Sequence, residues 1–233
     1  MRARPYAAIF GCAARHQLRY LRAFLGRNVF FVVVLFIFYS LWRVIFAGKP
    51  LIEYALASTR GIADIVEVTV VTNHRDAALF ESWRRRLQVE QPTGPRICLI
   101  DDGTSSERER RGSLGDLALA LTETRVNDDT LVLCPDKLFQ FSLAPMVELF
   151  ALRRAPVNAC FQTEGTETIR GRHGCAVVDA EGRIVNYEEK PDAPRSTIAS
   201  VAFYVFPRAT ARLVRHYLSN GGNPDAPGHF LGW

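Results

Sequence analysis

Glu188-Glu189-Lys190-Pro191, followed by the β-rich run Ile198 to Phe206 and then by Asn223-Pro224-Asp225-Ala226-Pro227-Gly228, is the stretch on which the reading of this chain turns. A strand-like segment ends there in two carboxylates, a lysine and a proline that stiffens the exit. An ammonium held beside carboxylates at a strand end can bind a phosphate as a point charge without being free to wander. Taken alone, a Glu-Lys pair at a hairpin end is more often a plain surface feature, so the surroundings have to decide.

Those surroundings alternate. Working back from Glu188, Ile184 to Tyr187 and Cys175 to Val178 read as short strands joined at Glu181-Gly182, and Val157 to Gln162 as another. Helical spacing covers Leu143 to Arg153, Leu114 to Thr124, Arg75 to Gln88 and Pro50 to Thr59. Strands read at Thr130 to Cys134, Arg96 to Ile100 and Ile65 to Thr72. Forward of it, Pro207 opens a helix to about Leu218. Alternating strands and helices predict an α/β, three-layer, Rossmann-like fold with a mostly parallel mixed sheet covered on both faces. Ligands of such sheets bind outside the carboxyl ends of strands, where Asp101, Asp136 and Lys190 all fall.

The 233 residues suffice for one substantial domain plus an appendage. Residues 1–49 carry eight Lys/Arg and no acid, whereas the remainder carries 21 basic and 24 acidic residues, a net of −3. The basic balance therefore belongs to the leader, and the domain offers no footprint for nucleic acid. Five cysteines, an odd number and none close in sequence to another, argue against a disulfide framework or zinc knuckle and for a reducing compartment.

The expected organisation is a basic leader (1–28), a hydrophobic segment (29–46) and a domain from 47 to 233. Val29 to Trp42 reads VFFVVVLFIFYSLW. As a helix, 18 residues reach ~27 Å, just short of a ~30 Å hydrocarbon core, so membrane contact through 29–46 is physically allowed. The alternative is an apolar helix or strand packed on the domain. A cleavable signal is disfavoured, because the basic region is long and no small-residue site follows. The positive-inside bias would hold residues 1–28 in the cytoplasm and send the domain out, where nucleoside triphosphates are scarce. The expected location is cytoplasmic, with membrane association through 29–46.

Six short motifs in one order carry a family resemblance. They are Ala47 to Tyr54; Asp102-Gly103-Thr104 through Arg111-Gly112-Ser113-Leu114-Gly115-Asp116-Leu117; Leu131 to Phe139 around Pro135-Asp136; His173-Gly174; Glu188 to Pro191; and Asn223 to Trp233. Together they resemble the sugar-1-phosphate nucleotidylyltransferases, of the nucleotide-diphospho-sugar transferase fold. The resemblance implies transfer of a nucleotidyl group from a nucleoside triphosphate to a sugar 1-phosphate, with Mg²⁺ as cofactor. It implies Asp136 as a catalytic metal ligand, Lys190 as the catalytic sugar-phosphate ligand and Glu189 as the partner of sugar hydroxyls. Gly115 would let backbone approach the nucleobase and Gly174 would do the same for the sugar, each for want of a Cβ.

The chain departs from the family pattern in several places. Pro135 and Lys137 replace a glycine and an asparagine, and an inward Lys137 would repel a cation beside Asp136. No Gly-x-Gly-Thr-Arg-like phosphate loop is found before Ala47, and the family's second metal carboxylate would fall after Trp233. Little or no turnover is the expectation on that ground, with a frameshifted start or incomplete gene as its cause. Two other readings stay open: an inactive membrane-tethered sugar-phosphate-binding remnant, and a GT-A-type glycosyltransferase using Asp101-Asp102-Gly103.

Overall fold

The computed structural model describes residues 49–62, 65–124 and 128–233. The leader 1–28 and the apolar segment 29–46 lie outside the described residues. None of the described helices is long and apolar enough to cross a membrane. The chain divides into two units, Met1–Tyr54 and Ala55–Trp233. Of the first, only residues 49–54 are described, and they enter helix α1 (Leu51–Ser58) behind Pro50, a residue suited to a helix's first turn.

In the second unit, β1 (Glu67–Thr72) and β2 (Arg96–Asp101) pair in parallel through the crossover helix α2 (Ala77–Glu90). Helix α2 packs on β2 and buries Trp83 and Leu87, while β2 buries Ile97. Helix α3 (Ser113–Glu123) then packs on β1. Strand β3 (Thr130–Val132), helix α4 (Ala144–Arg153) and strands β4 (Val157–Gln162), β5 (Cys175–Val178), β6 (Ile184–Glu188) and β7 (Ile198–Phe206) follow. Helices α5 (Thr210–Ser219) and α6 (Pro227–Gly232) end the chain.

The second sheet has the order β3-β7-β5-β6, with β4 also paired to β7. Its core lies under α4, where Leu143, Met146 and Phe150 meet Val157, Phe203 and Val205. A second cluster, Leu114, Val214, Tyr217 and Phe230, joins α3 to α5 and α6. Leu114 is fully buried, so Leu114→Ala is expected to cost about 2–5 kcal/mol, read as a lowered denaturant midpoint.

The α/β class expected from alternation holds, but the expected predominance of parallel pairing does not. Among the described residues only β1–β2 is parallel; β3–β7, β4–β7, β5–β6 and β5–β7 are antiparallel. The cause is connectivity. A crossover helix returns the chain to the same end of a sheet, whereas a tight turn reverses it. β5 and β6 are joined by such a turn. Gly182 has φ +77° there, and Asp179 Oδ1 accepts the Glu181 and Arg183 N–H groups.

One irregularity in β7 matters for the site. Asn158 faces Tyr204 but Cys160 faces Ser200, so β7 carries two extra residues and bulges. Ala202 sits in the bulge with φ +60°. Side chains collect its loosened backbone groups. Asn158 Nδ2 donates to Ser200 Oγ (3.0 Å) and to the Phe203 carbonyl (3.1 Å), and Ala202 N–H donates to Ser200 Oγ (3.2 Å). An alanine in the left-handed region costs about 1–2 kcal/mol, against roughly 0.5–1 kcal/mol for the entropy of a glycine. Ala202→Gly is therefore expected to stabilise the protein by about 0.5–1 kcal/mol, measured by urea denaturation. A destabilised variant would show that the alanine methyl packs for more than its backbone costs.

Candidate functional site

Two clusters of chemistry-bearing residues lie at the rim of the sheets. The first gathers around the β7 bulge. β6 alternates, so Tyr187 and Glu189 face one side while Glu188 turns to the other, where it pairs with Arg195 at 3.1 Å. Tyr187 Oη donates to Glu189 Oε2 (3.2 Å). Tyr187 is buried, and so are Tyr204 and Ser200, which neighbour its hydroxyl. Burial first, then the charge of its neighbours, pushes the Tyr187 hydroxyl far above the usual phenol range; Tyr204 is pushed up to about 12. Both stay protonated and remain donors at neutral pH.

Two glycines hold this arrangement. A Cβ at Gly174 would overlap Tyr187 Oη and lie 3.1 Å from Glu189 Oε2. A Cβ at Gly228 would overlap Glu189 Oε2 and lie 2.9 Å from Tyr187 Cε1. Gly174 thus clears space for the Tyr187–Glu189 pair. The space that its missing Cβ leaves is filled by Tyr187, so the expected approach of a sugar to Gly174 would have to come from another side. Lys190 follows with φ +46° and an exposed side chain, whose ammonium makes no hydrogen bond or ion pair among the described residues.

Asp136 stands in the turn after β3, exposed, with Oδ1 accepting the Cys134 thiol at 2.9 Å. Burial, with Asp136 beside it, pushes that thiol up to about 11, so it stays a donor. The ammonium of Lys137 donates to the Val201 carbonyl in the bulge (3.1 Å), which gives it a fixed partner in β7. The same bulge receives Gly174, whose carbonyl accepts Ser200 N–H (2.9 Å). The Asp136-Lys137 turn and the Gly174–Glu189 contact therefore converge on residues 200–201. His173 packs edge-on against Phe161 (5.7 Å). Burial and the charges of Lys137 and Arg172 hold it below the usual imidazole range, against an opposing pull from Glu189.

The second cluster is a cleft of about 410 Å³ at the carboxyl ends of β1 and β2. Val71 and Phe80 supply apolar lining; Asp102, Arg110, Arg111 and Asp116 supply polar lining. Asp102 is used internally: it accepts Thr104 N–H (2.7 Å) and Thr104 Oγ1 (2.8 Å). Asp101 accepts His74 Nδ1 (2.6 Å) and Gly103 N–H (2.9 Å). The Asp101-Asp102-Gly103 turn thus spends its carboxylates on its own geometry, which weakens the glycosyltransferase reading.

Asp116 differs. Its Oδ1 is shut off from water and has no hydrogen-bond donor among the described residues. Desolvation, reinforced by Asp102, pushes its carboxyl up, against the pull of Arg111 and Arg110. A carboxyl raised in the folded state opposes folding. The penalty is absent below the ordinary carboxylate pKa, grows as pH rises through the ordinary and then the raised value, and is complete above both. Asp116→Asn is expected to gain stability at pH 7 relative to pH 3, checked by thermal melts at the two pH values. Equal gains at both would remove the ionisation argument.

Residues 224–228 join the clusters. The Pro224 carbonyl accepts Leu114 N–H (3.0 Å) and Gly115 N–H (3.3 Å), and the Asp225 carbonyl accepts Ser113 N–H (3.0 Å) and Ser113 Oγ (2.7 Å). Three otherwise orphaned N–H groups of α3 are satisfied this way. Four residues on, Gly228 lies against Glu189. The chain spans at most about 14 Å between those points. A Cβ at Gly115 would lie 3.7 Å from Pro224 Cβ, and the Gly115 N–H is already engaged. It is the next residue, Asp116, that lines the cleft.

Among the described residues no group of three or more His, Cys, Asp or Glu could hold a metal. A single carboxylate at Asp136 still suits Mg²⁺, which is commonly held by one or two carboxylates together with substrate phosphates.

Comparison with known proteins bears on the family and the fold. The family model described as nucleotidyl transferase matches residues 42–225. A glucose-1-phosphate adenylyltransferase of Thermomicrobium roseum is 27% identical over 189 residues, covering 78% of this chain and 43% of the relative. The same-named protein of Thermotoga neapolitana is 38% identical over 77 residues, covering 33% of this chain and 18% of its own. The chain thus spans less than half the length of these relatives. Among solved structures, a putative glucose-1-phosphate thymidylyltransferase of Bacillus anthracis aligns with a TM-score of 0.63 at 20% identity, covering 78% of this chain and 70% of the other. A UDP-glucose pyrophosphorylase complexed with UDP-glucose aligns with a TM-score of 0.57 at 15% identity, covering 72% and 67%. At such identities the structures speak for the fold.

Proposed function

The chain belongs to the nucleotidyl transferase family, and from that premise we propose that it transfers a nucleotidyl group from a nucleoside triphosphate to a sugar 1-phosphate. The observation that carries the reading is the pinned carboxylate of Glu189, held by Tyr187 between Gly174 and Gly228, next to the ammonium of Lys190, which is unpaired among the described residues. Such a pair suits a sugar phosphate: a fixed acceptor for hydroxyl donors and a neighbouring point charge for the phosphate.

A phosphate oxygen of the sugar 1-phosphate attacks the α-phosphorus, the bond from that phosphorus to the bridging β-phosphate oxygen breaks, and pyrophosphate leaves with the electron pair. The attacking group has a second pKa near ~6 and is already an anion at neutral pH, so no general base is needed. The work left to the protein is positioning and charge neutralisation. Lys190 holds the sugar phosphate, Glu189 orients the sugar, and Gly174 and Gly228 keep Glu189 in place. Asp136 would hold Mg²⁺, which when bound neutralises phosphate charge.

Pyrophosphate release from a panel of triphosphates and sugar 1-phosphates tests the reading. Slow release is the expected result with at least one pair, removed by chelation of divalent metal and lowered about 10²–10³-fold further in kcat by Asp136→Asn. Binding of sugar phosphate without release from any pair would instead support a non-catalytic binding protein. Transfer from a nucleotide sugar, lost on changing Asp101 or Asp102, would support a glycosyltransferase.

A further inference from the structure

Tyr187 decides what Glu189 has left to offer a ligand. Its phenol carries one proton and gives it to Glu189 Oε2 (3.2 Å). That oxygen is also walled in, since a Cβ on either Gly174 or Gly228 would lie within 3.1 Å of it. Oε1 is the opposite case. It has no hydrogen-bond partner among the described residues, where Tyr187 alone binds the carboxylate. Glu189 is half-buried, and the one side-chain polar atom among the described residues that is both shut off from water and unpartnered is Asp116 Oδ1. Oε1 therefore stays reachable from outside.

The direction of the Tyr187 proton is set from behind, at the β7 bulge. Ser200 Oγ accepts Asn158 Nδ2 (3.0 Å) and the Ala202 N–H (3.2 Å). Both its lone pairs are then filled, and its own proton is left for the phenol oxygens of Tyr187 and Tyr204 beside it. A phenol that receives a proton from that side turns its own towards Glu189. Ser200, Tyr187 and Tyr204 are all buried, where such a chain of hydrogen bonds is held most firmly. The consequence lies in the chemistry of the acceptor. A carboxylate with both oxygens free takes two neighbouring sugar hydroxyls, one on each oxygen. With Oε2 occupied, one hydroxyl is held squarely, because the lone pairs of a single oxygen diverge too widely for adjacent hydroxyls.

We propose that Tyr187 sets the sugar specificity of the site: by holding Oε2 it makes Glu189 read a single sugar hydroxyl, through Oε1. It acts as a positioning residue, through Glu189 and without touching the sugar. This rests on the nucleotidyl-transfer reading but is tested apart from it, by equilibrium binding to the full chain with no triphosphate present. The probes are glucose, galactose and mannose 1-phosphates and the 2-, 3- and 4-deoxy forms of whichever binds most tightly. A hydroxyl is read by Glu189 when its removal costs affinity in the unaltered protein and costs nothing further in Glu189→Ala. One such hydroxyl is expected, worth about 10–100-fold. In Tyr187→Phe, Oε2 loses its donor and becomes free for the ligand, so a second hydroxyl next to the first is expected to become worth about 3–10-fold. Tyr204→Phe removes a buried hydroxyl that makes no hydrogen bond to Glu189, and is expected to leave the pattern as it was. Two neighbouring hydroxyls read by the unaltered protein, none read, an unchanged pattern in folded Tyr187→Phe, or the same change in Tyr204→Phe overturns the proposal. Should Tyr187→Phe not fold, the number of hydroxyls read by the unaltered protein still decides. A single hydroxyl read without pyrophosphate release leaves the proposal standing and removes the catalytic reading. Binding of no hexose 1-phosphate removes both.

Discussion

Lys190→Ala is expected to lower kcat/KM for pyrophosphate release by about 10²–10³-fold, with most of the loss in the sugar 1-phosphate and little in KM for the triphosphate. The ammonium has no partner among the described residues, so its removal leaves no buried group stranded. The fold has, if anything, a reason to welcome the change of backbone. A φ of +46° costs a lysine about 1–2 kcal/mol, and strain of this kind gathers where a side chain must be aimed. Lys190→Gly separates the two roles. It is expected to be as inactive as the alanine variant yet more stable than the parent by about 0.5–1 kcal/mol, since glycine takes the left-handed conformation freely. Lys190→Arg restores the charge without the compact head and is expected to recover only part of the activity. Full activity in Lys190→Ala would release this residue from the phosphate, and the case for Glu189 would then stand on its hydrogen bond alone.

Much of this was legible from residues and spacing because the signals are local. Strand β6 ends where two carboxylates, a lysine and a proline end it, and helix α4 runs from Ala144 to Arg153 under its own apolar periodicity. What stayed hidden depends on partners distant in sequence. Gly115 read as the glycine that would matter because the resemblance implies a nucleobase beside it. Which glycine is indispensable is decided by residues 224–225, more than a hundred positions away. The role of Tyr187 could have been found from alternation, since residues 187 and 189 share a face of β6. Its partner glycines could not, because Gly228 comes from another element. The bulge in β7 was invisible for the same reason: an alanine at φ +60° carries no sequence mark. The pairing sense of β7 also escaped, because helix–strand alternation records crossovers and is silent about strands that follow one another directly.

Gly112→Ala is expected to be strongly destabilising, at about 3 kcal/mol or more, or a fall in Tm of about 6–12 °C. Two costs add. Gly112 has φ +77°, where a Cβ costs about 1–2 kcal/mol. That Cβ would also overlap the Pro224 carbonyl oxygen and lie 2.7 Å from Asp225 Cα, both of them backbone that cannot rotate aside. Overpacking of this sort typically costs a further 1–3 kcal/mol. Relief requires residues 224–225 to move, and they carry the acceptors for Ser113, Leu114 and Gly115 at the start of α3. Because residue 228 bears on Glu189, the displacement is expected to raise KM for the sugar 1-phosphate in whatever fraction still folds. Gly115→Ala is the control. Its Cβ would lie 3.1 Å from Arg111 Cβ and 3.7 Å from Pro224 Cβ, contacts that small shifts absorb. The gain of about 1 kcal/mol for alanine over glycine inside a helix offsets them, so its Tm is expected to stay within a few degrees of the parent. Equal melting temperatures for the two variants would mean that residues 224–225 do not clamp the start of α3, and the link drawn here between the cleft and Glu189 would go with that clamp.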